Sequence, residues 1–343
     1  MNKNFQLKSL VNRKVTFMYL FDAPDRFKGF RNEDLKKIDV INLSFGVITE
    51  GKLDVTRIPN AKKIIEIAHE NGVRVVLSIG GWGAGGFSEA VSTKETRKLF
   101  VDSIEKVVNT FNYDGVDLDW EYPTTGVAGI SASPNDRENF TLLVEELRKV
   151  FPNKLLTAAV PAGARGATDY YETAKLAKLL NYWHLMTYDM SGGSSSTHHT
   201  NLFASKYSNY SADQSVQSYA NAGMPVEKMI MGIAFYGHRF VTTEDGDNHG
   251  LKVPAKREGS VGYRNIIKDY NDANGYKSYF DEEAQAPWLY GNKVLISYDN
   301  PQSIAGKCEY VNKHNLAGVM VWEYNADDDN STLVNAIYQN IKK

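Results

Sequence analysis

Apolar positions along the chain fall into short runs separated by longer stretches of helical period. Val15–Phe21 (VTFMYLF) and residues 40–48 are rich in branched and aromatic side chains and read as strands. A helical period over 61–71 follows, with Gly72 where a C-cap is expected, and then a strand over 73–79. The same alternation continues with a helix over Lys94–Phe111, a strand over 115–121, a helix over 135–150 and a strand over 155–160. A helical stretch near 174–180 precedes a strand over Tyr182–Met186; a helix over 212–223 precedes a strand over 228–236. A helix over 301–314, a strand over Gly318–Trp322 and a helix over 332–341 close the chain. Strands that alternate with helices predict a parallel sheet, and eight such units are the count of a closed (β/α)8 barrel. A doubly wound sheet is the alternative, but it usually has fewer strands. One connection departs from the rhythm: about 55 residues, 238–292, separate the seventh strand from the next helix, where loops of roughly 2–6 are usual. The expectation is one catalytic barrel domain over 1–343 with a small inserted subdomain over 238–292.

Composition narrows the function. Charged residues make up 23%, hydrophobic residues 42%, and the net charge is −2, so no basic face for nucleic acid is implied. No run approaches the roughly 18 apolar residues of a membrane span. Cys308 is the single cysteine, so no intrachain disulfide forms. The opening segment, residues 1–14, holds no apolar run of signal-peptide length, which is compatible with a cytoplasmic location or with secretion after signal removal. Twenty tyrosines among 12% aromatics suit a sugar cleft, because aromatic rings stack on the CH-rich faces of sugars.

The sharpest chemistry lies in Asp114-Gly115-Val116-Asp117-Leu118-Asp119-Trp120-Glu121-Tyr122-Pro123. Side chains on a strand alternate faces, so Asp117, Asp119 and Glu121 share one face and Val116, Leu118 and Trp120 the other. In a barrel the apolar face packs on helices and the acidic face points inward, ending at the C-terminal mouth with Glu121. Successive carboxylates lie about 7 Å apart along the strand and are costly to bury. Mutual repulsion raises at least one pKa, which is how a carboxylic acid stays protonated near neutral pH to act as a general acid. An exposed acidic edge and a Mg²⁺ or Ca²⁺ site are the competing readings. The first does not explain the apolar row opposite, and the second lacks the glycine of a calcium loop.

The run DGVDLDWEYP resembles the D-x-x-D-x-D-x-E signature of glycoside hydrolase family 18, the chitinases and their relatives. Leu77-Ser78-Ile79-Gly80-Gly81-Trp82 resembles the family's S-x-G-G motif, and Met186-Thr187-Tyr188-Asp189 its M-x-Y-D motif. The seventh-strand run ending Tyr236-Gly237 and the eighth-strand run ending Trp322 resemble two further family segments, so the likeness covers nearly the whole chain in order. The resemblance implies a barrel with a small α+β insertion, and retaining, substrate-assisted hydrolysis of β-1,4-linked N-acetylglucosamine. This family is an exception to the two-carboxylate scheme. Glu121 would protonate the glycosidic oxygen while the substrate's own acetamido oxygen attacks the anomeric carbon. Asp119 would bind the acetamido N–H, Asp117 would share a proton with Asp119, and Tyr188 would orient the acetamido oxygen. Trp322 would floor the reacting sugar and Trp82 would contact the sugar on the leaving side. Tyr19, Phe45, Ser78, Gly81, Met186, Asp189 and Tyr236 complete the substrate-binding set. In one departure, the family's Tyr-Gly-Arg reads Tyr236-Gly237-His238-Arg239, which puts that arginine's sugar contact in doubt.

No metal and no cofactor are expected, because the sequence offers no credible ligand cluster outside the acidic strand. Gly81-Trp82-Gly83-Ala84-Gly85-Gly86 matches G-x-G-x-x-G, but the next predicted helix, at Lys94, starts too late to meet a pyrophosphate, and no acidic strand end follows about 20 residues on. His198-His199 are adjacent and make a poor chelate, so loop hydrogen bonding is expected; Asp327-Asp328-Asp329-Asn330 reads as capping for the last helix. The expected partner is chitin or a chito-oligosaccharide, with no nucleic acid, no membrane and a monomeric chain. An endo-β-N-acetylglucosaminidase acting on N-glycans or peptidoglycan is the rival within the same chemistry. A non-catalytic chitin-binding lectin is the rival outside it, set against the presence of Glu121.

Overall fold

A computed structural model describes residues 6–31 and 33–342 of the chain; the first five residues of the opening segment lie outside it. The strands, in chain order, are β1 (Val15–Phe21), β2 (Val40–Thr49), β3 (Lys52–Asp54), β4 (Arg74–Gly80), β5 (Gly115–Asp119), β6 (Leu155–Pro161), β7 (Tyr182–Met186) and β8 (Met229–Ala234). They continue with β9 (Tyr236–Thr242), β10 (Ala255–Gly262), β11 (Lys277–Asp281), β12 (Ala286–Gly291), β13 (Val294–Ser297) and β14 (Gly318–Trp322). Eight of them pair in parallel in the order β1-β2-β4-β5-β6-β7-β8-β14, and β14 returns to β1. This is a closed (β/α)8 barrel. No helix among the described residues is long and apolar enough to cross a membrane.

Two apolar layers follow from strand alternation. Outward residues such as Val116, Leu118 and Trp120 join Phe87, Phe100 and Phe140 beneath the helices, with Trp120 stacked on Phe87 at 5.1 Å. Inward residues such as Phe17, Tyr19, Met186, Tyr188 and Met320 fill the barrel. The helix Lys94–Phe111 starts on a capping box, Thr93 with Thr96, and Pro301–Lys313 on another, Asn300 with Ser303. Asp327 and Asp328 cap the last helix by accepting the N–H groups of Leu333, Val334 and Thr332.

A second, antiparallel sheet, in the order β10-β9-β13-β12-β11, is built from chain between β8 and β14. Its strands run from Tyr236 to Ser297, slightly beyond both edges of the long connection. The seventh predicted strand is thereby divided: β8 stops at Ala234 and β9 begins at Tyr236. Phe235 turns the chain, donating its N–H to Trp322 and accepting from Tyr263. The predicted strand over 115–121 ends at Asp119, and the helix near 174–180 is one turn, Thr173–Leu176. Further elements among the described residues include helices over Asp34–Lys37 and Tyr263–Asp269, a β2–β3 hairpin and a helix over Phe87–Val91. That helix follows Gly86 directly, so the spacing objection to a dinucleotide loop does not hold, although the missing acidic partner still does.

Candidate active site

The barrel register builds the site. On β5, Asp117 lies level with Ser78 of β4 and Thr157 of β6, and level residues of parallel neighbours face the same way. Asp117 therefore accepts three hydroxyl hydrogen bonds: from Ser78 Oγ and Tyr19 Oη at 2.7 Å, and from Thr157 Oγ1 at 2.6 Å. Asp119, one inward position further, is also buried, but its Oδ1 has no hydrogen-bond partner. No hydrogen bond joins Asp117 to Asp119 among the described residues, so the expected shared proton has no direct bridge here. Burial, reinforced by the negative charges of Glu121 and Asp117, pushes the Asp119 carboxyl well up. Glu121 stands just beyond the strand end. Burial raises its carboxyl to about 7, with a further push from Asp189 and partial opposition from Tyr122.

Above these acids is an inner cavity of about 150 Å³ lined by Tyr19, Phe45, Trp82, Asp119, Glu121, Ala159, Met186, Tyr188, Asp189 and Trp322. Among the described residues the Tyr188 hydroxyl has one hydrogen-bond partner, Met320 Sδ at 3.6 Å, and burial with nearby carboxylates keeps the phenol protonated. Trp322 stacks on Phe45 with centroids 5.5 Å apart and forms the common wall of three adjoining cavities. The largest, about 800 Å³, runs along Phe21, Thr49, Arg57 and the loop 80–85. Trp82, 64% exposed, stands between it and the inner cavity. Gly80 and Gly81 adopt positive φ of 119° and 91°; a Cβ at Gly80 would meet the Asp119 carbonyl at 2.1 Å, and one at Gly81 the Phe45 ring at 2.8 Å. Glycine there lets the loop pass beside the acids.

Most of the expected residues converge on the cavity. Ser78 does not line it; fully buried, it acts through Asp117. Tyr236 and Gly81 line the flanking cavities, and the Tyr236 hydroxyl donates to Asp189 at 2.7 Å. A buried aromatic-walled pocket, an acid poised near neutrality and an unsatisfied neighbouring carboxyl together suit acid-assisted cleavage of a bond to a sugar.

Comparison with known proteins gives the same direction. The sequence model of the glycosyl hydrolases family 18 matches residues 15–327. The chain belongs to glycoside hydrolase family 18. Chitinase A1 of Niallia circulans is 32% identical over 77% of this chain and 42% of its own length. Probable chitinase 2 of Drosophila melanogaster is 32% identical over 79% of this chain and 60% of its own. The chain thus spans between two fifths and three fifths of the length of these relatives. A solved family 18 N-acetylglucosaminidase from Paenibacillus barengoltzii superposes with a TM-score of 0.89 at 36% identity, covering 96% of this chain and 100% of that one.

Within this family 18 barrel, Asp189, His199 and His238 bring ligand atoms within 4.8 Å of one another. They do not fit a metal. His238 uses Nε2 on Asp189 at 2.6 Å and Nδ1 on Ser191 at 2.7 Å, while His199 Nδ1 takes the Asp189 N–H. The two imidazoles stack at 4.2 Å, so their lone pairs do not converge. His198 instead bonds Asp281 at 3.1 Å, in keeping with a loop role. Sequence reasoning missed Thr157 and His184, which face Asp117 and Tyr19. Each is a lone polar residue inside an apolar run, LLTAAV and YWHLM, and that interruption was the available signal.

Proposed function

We propose that the protein is a chitinase: a retaining glycosidase that cleaves β-1,4-linked N-acetylglucosamine in chitin or chito-oligosaccharides with the substrate's acetamido group as nucleophile. The observation that carries this reading is the buried, unpartnered Oδ1 of Asp119 at the cavity wall. An unsatisfied buried acceptor is costly, and a substrate N–H at that point would satisfy it. Tyr188, whose hydroxyl has no hydrogen-bond partner among the described residues but a thioether, would donate to the acetamido oxygen. Held from both ends, the acetamide lies under the anomeric carbon, and an attached nucleophile has an effective molarity of about 10⁵–10⁸ M.

Glu121 in its protonated form gives its proton to the glycosidic oxygen as the C–O bond breaks. The acetamido oxygen closes on the anomeric carbon to an oxazolinium, whose positive charge Asp119 and Asp117 stabilise. Ionised Glu121 then takes a proton from the water that opens the ring. Trp322 and Phe45 exclude water beneath the sugar and Trp82 receives the leaving sugar. The whole chain acts as one catalytic unit, with residues 238–292 as a subdomain walling the cleft. No metal or cofactor enters any step, and the chain works as a monomer.

The names of the relatives support a chitin-type substrate, and the N-acetylglucosaminidase raises release of single sugars as the mode of attack. Incubation with chito-oligosaccharides and, separately, with a high-mannose N-glycopeptide tests the reading by mass spectrometry. Chito-oligosaccharide cleavage with β-anomeric first product by NMR is expected; cleavage of the glycopeptide alone would favour the endo-β-N-acetylglucosaminidase rival, and no turnover of either the lectin.

A further inference from the structure

Position 238, where the family motif carries arginine, delivers no cation to the cleft. His238 is fully buried, both ring nitrogens are occupied by Asp189 and Ser191, and its face is covered by His199. Arg239 falls on the opposite face of β9 by strand alternation and pairs with Glu258 at 2.6 Å.

A different arginine faces the cleft. Arg257 on β10 is opposite Phe240, and residues opposite one another in an antiparallel ladder share a face. Tyr236, His238 and Phe240 alternate onto that face, so Arg257 projects with Tyr236. The ladder shifts register between Arg257 and Ser260, where Gly259 takes φ 91°, and this bulge sets Arg257 at the rim. Arg257 is exposed and lines a cavity of about 420 Å³ with Asp189, Tyr236, Trp322 and Glu323. It makes no hydrogen bond or ion pair with any described residue. The other cation there, Arg26, is tied to Glu323 at 2.8 Å. This outer cavity shares Asp189 and Trp322 with the inner one but is not lined by Glu121 or Asp119, so it adjoins the inner cavity without containing the acid.

We infer that Arg257 is the specificity-determining cation of this outer cavity, donating its guanidinium N–H groups to hydroxyl or acetamido oxygens of a second N-acetylglucosamine held against Trp322. This rests on the glycosidase reading above. The position is chemically suited to it: a free, forked donor beside an aromatic wall costs little to engage and gains charge-assisted hydrogen bonds.

The test compares wild type and Arg257→Ala on an aryl β-N-acetylglucosaminide, which leaves the outer cavity empty, and an aryl β-diacetylchitobioside, which fills it. The ratio of kcat/KM, disaccharide over monosaccharide, is expected to fall about tenfold or more in the variant, carried by KM. Arg257→Lys should recover only part of it. A ratio within twofold of wild type, whether both rates hold or both fall together, overturns the inference. Wild type inert on both substrates would count against the glycosidase reading instead; the Kd for chitotriose, weaker in Arg257→Ala or unchanged, then decides Arg257 by itself.

Discussion

The two faces of one short strand behave in opposite ways. On the outer face of β5, Val116 and Leu118, with Trp120 just past the strand end, are buried and fully provided for, since dispersion and water exclusion need only well-fitted neighbours. On the inner face Asp117 is just as buried and is provided for differently, by three hydroxyls from three other strands. Asp119, the next inward residue, is left short of a partner. Both faces exclude water, but only the inner one leaves a polar group waiting. Where a fold keeps a buried acceptor unsatisfied beside a cavity, the missing partner is a ligand candidate.

The largest effect expected from breaking this contrast is at Glu121. Glu121→Gln keeps the shape of the inner face but cannot donate an acid proton, and kcat should fall by about 10³-fold or more. The thermal melt should hardly move. Wild-type turnover in that variant would remove Glu121 from the acid role.

On the outer face the same strand should respond in stability instead. Trp120→Ala deletes the ring stacked on Phe87 and should cost about 3–5 kcal/mol by denaturant unfolding. Protein that remains folded should keep its kcat; a large loss of kcat at unchanged stability would show that the two faces are not separable.

Tyr188→Phe sharpens the inner account. The hydroxyl's one hydrogen bond among the described residues is to a sulfur, so its removal should leave stability unchanged while lowering kcat by roughly 10–100-fold, the worth of one hydrogen bond to a charged group. An unaltered kcat would mean that Tyr188 only walls the cavity.

The smallest effect is that of pH. As the proposed general acid, Glu121 must be protonated to act, and burial raises its carboxyl to about 7, above the ordinary carboxylate range. The active form therefore predominates below that value, and kcat/KM should decline as pH rises through about 7. The limb belongs to the interacting carboxyl set rather than to Glu121 alone. A profile flat to pH 9 would contradict the raised acid.

Local pattern made part of this visible. The Asp-Leu-Asp-Trp-Glu alternation carries both the acidic and the apolar face in its spelling, because period two is a property of the strand itself. The division at Phe235 was hidden, since MIMGIAFYG is one apolar run and the break depends on hydrogen bonds to Trp322 and Tyr263, distant in sequence. The β2–β3 hairpin had a usable signal in Glu50-Gly51, which take φ of 51° and 72°. His238 could be flagged as a departure, but its burial against Asp189 and Ser191, some 47–49 residues away, follows only from how β9 crosses the barrel mouth. Arg257 carried no local signal at all, because its direction is set by the register shift between β9 and β10.

In the proposed mechanism Asp119 and Tyr188 hold an acetamide that itself attacks the anomeric carbon. The most direct test of this step is a chito-oligosaccharide whose reacting sugar carries a free amine in place of the acetamide, compared with the acetylated parent by single-turnover kinetics. The deacetylated substrate is expected to bind yet turn over at least about 10³-fold more slowly, because the attached nucleophile is gone. Cleavage at a rate close to that of the parent would contradict it.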